Sequence, residues 1–257
     1  MHEEPPLARR GVIASRLAQG HSVVAGALAQ EFAVSEDAIR RDLRALADEG
    51  LCRRVYGGAL PISPSAVSMA ARTEVGRDRK LALARAAASL VQPREFIFLD
   101  SGSTHLGLAA ALPEDYELMV ATNSVDIAAI VLRRQDLKLL LIGGAVDPLV
   151  GGCVDGAAVQ SVSQLNIDRC FIGACSVSVS AGLGAFHSSD ATFKRALLEV
   201  SQHCVTLIMT DKFAARAPHR VAPLAKISTL VVEQDAPTPL LNTFTQAGVS
   251  ILRAEPV

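Results

Sequence analysis

The apolar positions of this chain fall first at helical spacing and later in short runs. Ile39, Leu43 and Leu46 stand at i, i+4 and i+7, one stripe of a helix, and the other side carries Glu36, Asp37, Arg40, Arg41 and Arg44. Ser35 is placed to cap that helix, since its hydroxyl can accept an orphaned backbone N–H, and Gly50 is placed to end it. Residues 51–56 then read as a short strand bearing Arg53, Arg54 and Tyr56 and running into the turn pair Gly57-Gly58. Upstream, residues 7–18 predict a first helix with Val12, Ile13 and Leu17 inward, ended by Gly20. Residues 23–32 predict a second, with Leu28 and Phe32 on its apolar face, linked by Ala33-Val34 directly to the third. Two helices joined by a tight connection, followed by a basic, glycine-tipped ribbon, predict a winged helix-turn-helix. A generic protein-binding module would share the three amphipathic helices; the basic ribbon favours DNA.

Residues 61–68 (PISPSAVS) are rich in Pro, Ser and small side chains and read as a linker. A helix at 72–90 follows, charged in its first half and alanine-rich in its second. From there strands and helices alternate: strand 96–99, helix 104–112, strand 118–121, helix 125–132, strand 137–142. Further strand candidates lie at 167–172, 205–209 and 230–232, with a helix at 191–202. This alternation predicts an α/β domain built on a doubly wound, mostly parallel sheet. The expected organisation is therefore a small winged helix-turn-helix domain at 6–61, its helix-turn-helix at about 23–42, a linker at 62–75, and a larger α/β domain at 76–257.

Composition changes this picture little. The formal net charge is -1, so total charge does not announce a nucleic-acid partner. Arrangement says more: up to Pro61 every Lys/Arg position is Arg, and Arg40, Arg41, Arg44, Arg53 and Arg54 crowd one stretch. Guanidinium forks match phosphates and guanine edges, although a charge run alone would equally be a solvated helix face. The cysteines number 5, scattered and without a CxxC pair, which argues against a disulfide framework and a zinc site and fits a reducing cytosol. The polar, proline-containing start is unlike a signal peptide, and no apolar run approaches the roughly 18 residues that span a bilayer. A cytoplasmic protein without a membrane partner is expected.

In open α/β sheets ligands lie outside the carboxyl ends of the strands. After the first strand comes Asp100-Ser101-Gly102-Ser103-Thr104, leading into a helix, where hydroxyls and free N–H groups make an anion site. After the second comes Thr122-Asn123-Ser124, and after the third Gly143-Gly144. One such loop would be an ordinary capped turn; three at one sheet edge outline a pocket for a small, oxygen-rich, phosphorylated ligand. Lys194 and Lys212 lie near the ends of later elements, and either could lend that phosphate a point charge or be a solvated surface lysine. His105 adjoins the first loop; His187 and His219 lie in loop-like stretches. No GxGxxG, Walker A, HExxH or GxSxG motif is present, so no catalytic residues, cofactor or metal are assigned.

These residues resemble a family. LAQEFAVSEDAIRRDLRALADEGLCRRVYGGA is similar to the helix-turn-helix of DeoR/GlpR-type transcriptional regulators, with V-S-x-x-x-I-R-R-D-L followed by G-L-x-R-x-x-G-G-A, and the resemblance extends over nearly the whole chain. Ala38 stands where that family usually has Thr, and Tyr56 where it often has His. The larger part resembles the family's effector-sensing domain, related in fold to ribose-5-phosphate isomerase and CoA-transferase-like proteins. Asp100 to Thr104, Thr122 to Ser124, Gly143-Gly144, Asp168 to Gly173, Lys194 and Lys212-Phe213 match its landmarks, and Met209 stands where the family usually places an Asp three residues before the last lysine.

The resemblance implies a repressor of a carbohydrate or polyol catabolic operon, not an enzyme, relieved by a phosphorylated sugar or related metabolite. DNA contacts are then expected from Ser35, Glu36, Asp37, Arg40, Arg41, Arg44, Arg53, Arg54 and Tyr56, and effector contacts from the loops, with Asp168, Lys194 and Lys212. A homodimer or homotetramer is expected, because one small module covers too little operator DNA. The alternative is a sugar-phosphate isomerase or transferase-like enzyme with an appended DNA-binding domain. Asp100, Asp168 and Asp190 are available to it as general bases, but nothing in the sequence converges them.

Overall fold

The computed structural model describes residues 6–18, 22–49, 51–61 and 69–255, and the chain divides into two units, Met1–Val67 and Ser68–Val257. Gly20, Gly50 and residues 62–68 of the expected linker lie outside the described residues.

The first unit holds α1 (Pro6–Ala18), β1 (Val23–Val24), α2 (Ala25–Glu31), α3 (Glu36–Asp48), β2 (Cys52–Val55) and β3 (Gly58–Pro61). The second helix is shorter than its spacing predicts. Val23-Val24 pairs antiparallel with β3, Val23 opposite Ala59, so this β-branched pair is drawn into a three-stranded sheet. Ile13, Leu17, Leu28, Ile39, Leu43, Leu46 and Ala59 are buried together as its core. A buried ion pair fastens α1 to α3, Arg9 Nε to Asp42 Oδ2 at 2.7 Å.

The second unit opens with α4 (Met69–Glu74) and α5 (Arg77–Ala88). Part of the expected linker is thus helical, and the single helix expected at 72–90 is broken at Gly76, whose φ of 65° is left-handed. There follow β4 (Phe96–Leu99), α6 (Ser103–Ala111), β5 (Met119–Thr122), α7 (Val125–Val131), β6 (Lys138–Leu141), β7 (Val146–Asp147), β8 (Gly152–Cys153), α8 (Gly156–Val162), β9 (Ile167–Ile172), β10 (Ser176–Ser178), β11 (Gly182–Ala185), α9 (Ser188–Glu199), β12 (Ser201–Ile208), β13 (His219–Ala222), β14 (Thr229–Val232), α10 (Thr238–Gln246) and β15 (Ser250–Arg253).

Seven strands form one sheet in the order β15-β14-β12-β9-β4-β5-β6, every pairing parallel. Along β4, Ile97 and Leu99 turn to the face covered by α5, α6 and α7, while Phe98 turns to the other and meets the Phe193 ring of α9 at 5.9 Å between centroids. From β4 the chain first builds outward to β5 and β6, then returns to place β9 on β4's other side and continues to β12, β14 and β15. The direction of winding therefore reverses between β4 and β9, and a crevice at their carboxyl ends is the place where such sheets take ligands. A small antiparallel sheet β10-β11-β13 and the β7-β8 hairpin, neither predicted from the alternation, stand outside the main sheet.

Candidate functional site

In the first unit, Ser35 Oγ accepts the Ala38 N–H at 3.2 Å, so the third helix is capped as its sequence requires. Its outward charges are not equivalent. Arg40 is tied down, Nη2 to Glu36 Oε2 at 2.9 Å and Nη1 to Asp37 Oδ1 at 3.2 Å, while Arg41 Nε donates to the Asp37 carbonyl at 3.3 Å. Glu36 and Asp37 thus spend their charge on Arg40. Arg44, Arg53 and Arg54 are exposed, and Tyr56 stands fully exposed at the tip of the β2–β3 hairpin beside Gly57, whose φ of 78° makes the turn. A capped helix with exposed guanidinium groups and a basic hairpin next to it in sequence can bridge a major groove and the flanking phosphates. Asp42, in the middle of the Arg-rich stretch, faces inward to Arg9 and is a structural residue.

In the second unit the reversal point gathers buried polar side chains. Asp100 ends β4, Gly173 follows β9, and the Gly173 N–H donates to Asp100 Oδ2 at 3.1 Å. Lys194 of α9 brings Nζ to 3.2 Å from the same oxygen and closes a second ion pair with Asp190. Ser101 N–H donates to Asn123 Oδ1 at 2.9 Å, joining the loops after β4 and β5. Asn123 Nδ2 donates to the Cys153 carbonyl at 3.1 Å, and the Cys153 N–H returns to the Asn123 carbonyl at 2.8 Å. The β7-β8 hairpin is thereby sewn to the site. Ser124 caps α7 by accepting the Ile127 N–H, while Thr122 Oγ1 accepts the Ser124 N–H at 3.1 Å.

His105 lies beneath the first loop. A Cβ at Gly102 would stand 2.8 Å from His105 Nδ1, so the close approach of loop to ring requires glycine there. Burial, with the Lys194 charge next, holds the His105 imidazole down at about 3, against a weaker pull from the Asp100 backbone. The ring is therefore neutral at physiological pH. Burial pushes Asp100 up to about 6, opposed by Lys194. Burial alone would lower Lys194, but Asp100 and Asp190 outweigh it and keep the ammonium charged. Asp100 Oδ1, Ser101 Oγ and both His105 ring nitrogens are buried without a hydrogen-bond partner. Helix α6 begins after Gly102, which offers no side-chain cap to its first turn, where the His105 N–H is already taken by the Gly102 carbonyl at 3.0 Å.

The structure does not bring every expected effector residue to this crevice. Asp168 lies at the start of β9, accepting the Phe96 N–H at 2.8 Å, and so sits at the amino end of the neighbouring strand, away from the carboxyl end where Asp100 lies. Lys212 is half-exposed and pairs with its neighbour Asp211 at 3.1 Å, not with Asp100 or Asp190. Met209 packs its methyl against Gly76. Gly143 and Gly144 are exposed, and Gly144 abuts the Asp155 carboxylate, which accepts the Ala145 N–H at 2.8 Å. Lys194, expected as a point charge for phosphate, is instead neutralised by two carboxylates. Gly173 falls within the Asp168 to Gly173 stretch that the resemblance marked, whereas sequence reasoning missed Gly152 and Cys153 as parts of the site. Their signal is long-range pairing, which no local pattern carries. Among the described residues no cluster of His, Cys, Asp and Glu could hold a metal ion, and no helix is long and apolar enough to cross a membrane.

The family model of the DeoR C terminal sensor domain matches residues 76–234, and that of the DeoR-like helix-turn-helix domain matches residues 9–65. The chain is 32% identical over 254 residues to the uncharacterized HTH-type transcriptional regulator YgbI of Escherichia coli (strain K12), covering 97% of this chain and 98% of that protein. It is 26% identical over 225 residues to the glycerol-3-phosphate regulon repressor of the same organism, covering 87% and 89% respectively. Among solved structures, ribose 5-phosphate isomerase A of Methanocaldococcus jannaschii is similar at 17% identity over 53% of this chain and 54% of that one, with a TM-score of 0.38. That likeness is too loose to bear on function.

Proposed function

The chain belongs to the DeoR family of helix-turn-helix transcriptional regulators, and from that premise we propose that it represses a carbohydrate or polyol catabolic operon and is released by a phosphorylated sugar or related metabolite. The observation that carries the reading is the set of buried, unpartnered polar atoms on Asp100, Ser101 and His105 beside the uncapped start of α6. A buried polar group without a partner costs about 1–3 kcal/mol, and an oxygen-rich ligand with hydroxyl groups would satisfy several at once. Its phosphate would take the N–H groups and the hydroxyls of Ser103 and Thr104. Lys194 would act through Asp100, as a positioning residue rather than a phosphate ligand. Arg41, Arg44, Arg53, Arg54 and Tyr56 would hold the operator, in a cytoplasmic homodimer or homotetramer whose paired modules supply the affinity one lacks.

An isomerase reading would need a carboxylate free to take a proton. Asp100 is held by Gly173 and Lys194, Asp190 by Lys194, and Asp168 lies at the amino ends of the strands, away from the crevice. Thermal denaturation of the full chain with glycerol 3-phosphate, ribose 5-phosphate, fructose 1-phosphate and fructose 6-phosphate tests the proposal. A ligand present at about 100 times its Kd should add about 2.7 kcal/mol of stability. Turnover of any of them, or loss of all stabilisation across a wider panel of phosphorylated sugars and polyols, would count against it.

A further inference from the structure

Helix α4 is docked on the hairpin that closes on the candidate effector loops. Within that hairpin the turn at 147–151 is internally bonded: Asp147 Oδ1 accepts the N–H groups of Leu149 at 2.8 Å and Val150 at 3.2 Å, and the Gly151 N–H donates to the Asp147 carbonyl at 2.7 Å. Its outward carbonyls are taken by α4. Arg72 Nη2 donates to Leu149 O at 2.7 Å and to Val150 O at 3.3 Å, and the Met69 N–H donates to Pro148 O at 3.3 Å.

Two adjacent glycines then face opposite neighbours. A Cβ at Gly151, where φ is +84°, would come within 2.4 Å of Met69 Cγ. A Cβ at Gly152 would come within 2.7 Å of Ser101 Cβ and 2.9 Å of the Asn123 carbonyl. One peptide unit therefore separates the docked helix from Ser101 and Asn123. A helix of 6 residues is far below the length that is stable by itself, so α4 depends on its tertiary contacts: this turn, the Lys80 ammonium on the Arg72 carbonyl, and α6. It also begins the sensor unit, immediately after the DNA-binding unit in the chain.

We propose that the turn at 147–151 is a relay between the effector loops and α4, and that Arg72 is the positioning residue that locks the two together. Movement of Ser101 or Asn123 on ligand binding presses on Gly152, shifts the turn, and withdraws the carbonyls that hold α4. The helix then frays, loosening the start of the sensor unit that follows the DNA-binding unit in the chain. Both the docked and the frayed helix are discrete states, which is what a switch requires. The proposal rests on reading Ser101 and Asn123 as effector contacts.

Hydrogen exchange on the full chain tests it without a ligand. In Gly152→Ala, the added Cβ pushing on Ser101 and Asn123 should raise exchange of the α4 amides several-fold. Because coupling is reciprocal, Arg72→Ala should raise exchange at Ser101 and Asn123 while that of β12 and β14 stays at the wild-type level. An Arg72→Ala protein in which only α4 loosens and Ser101 and Asn123 keep wild-type exchange would overturn the relay, even if Gly152→Ala failed to fold. A parallel thermal scan of the wild type with glycerol 3-phosphate and the three sugar phosphates above separates the two ideas. Loss of any stabilisation there removes the effector reading, whereas the exchange pattern alone decides the relay.

Discussion

Lys194 Nζ stands 3.2 Å from Asp100 Oδ2 and pairs as well with Asp190 one turn back on α9, so one buried ammonium joins the end of β4 to the start of α9. The two carboxylates and the lysine are each at least nine-tenths buried. Removing the charge in Lys194→Met strands two carboxylates in a low-dielectric crevice. Breaking a buried pair in this way costs about 3–5 kcal/mol. Urea unfolding of the sensor unit within the full chain should show that loss, and the double change Lys194→Met with Asp190→Leu should recover part of it. An unchanged midpoint in Lys194→Met would mean the cluster is solvated and contributes little.

The neighbouring His105 gives an acid-side signature. Its folded value, about 3, lies below the unfolded value of 6.5, so the unfolded chain takes a proton the folded chain refuses. Stability is therefore lost as pH falls from about 6.5 towards about 3. Asp100 works in the opposite sense: its folded value of about 6 lies above 3.8, so the folded chain takes the proton first and gains stability as pH falls through that interval. In His105→Leu only the first effect is deleted. The variant should gain on the wild type as pH drops below about 6.5, by up to about 1.4 kcal/mol per pH unit. Denaturation curves for both proteins between about pH 7 and about pH 4 check this; parallel curves would show the imidazole is not the desolvated neutral group described.

Much of this was legible in the sequence, for reasons that are local. The stripe Ile39, Leu43, Leu46 and the Ser35 cap are short-range features, and α3 starts and packs as they require. The runs at 96–99 and 167–172 coincide with β4 and β9 because parallel central strands, buried on both faces, read as continuous apolar stretches. What was not legible is long-range. Val23-Val24 becomes a strand only by meeting Ala59 and Gly58. Asp168 and Asp100 look equally polar at a strand boundary, but Asp168 stands at the start of its strand and Asp100 just past the end of its own, which places them at opposite ends of two neighbouring parallel strands. Of the two partners of Lys194, Asp190 lies four residues back on the same helix, within reach of local spacing, whereas Asp100 is distant in sequence and carries no local signal. Arg72 and the hairpin it grips fell inside an expected linker and an unassigned loop.

Asp42 belongs to the stretch read as a DNA-contacting helix, yet it is buried against Arg9 at 2.7 Å. Asp42→Ala should therefore act on folding, destabilising the DNA-binding unit by about 3–5 kcal/mol by leaving Arg9 unpaired. Guanidinium chloride unfolding followed by circular dichroism measures this directly. Full stability together with weakened DNA binding would reassign Asp42 to the interface.

The wing arginines should behave as phosphate ligands. Arg54 is exposed on β2. Arg54→Ala should weaken binding to different duplexes by similar factors and reduce the slope of log K against log salt by about 0.9 for each phosphate that Arg54 neutralises. Fluorescence anisotropy over a range of potassium chloride concentrations tests it. A loss confined to one base position would indicate base readout instead.

Occupancy of the Asp100–Ser101–Asn123 crevice should control DNA binding. The most direct measurement titrates phosphorylated sugars and polyols into the full-length protein bound to a fluorescent duplex from its own upstream region. The expected result is that at least one of them lowers DNA affinity in the wild type, and that Ser101→Ala, which removes the hydroxyl without adding bulk against Gly152, abolishes the response while leaving DNA affinity without ligand unchanged. DNA release that persists undiminished in Ser101→Ala, or DNA affinity that no phosphorylated sugar or polyol alters, would contradict it.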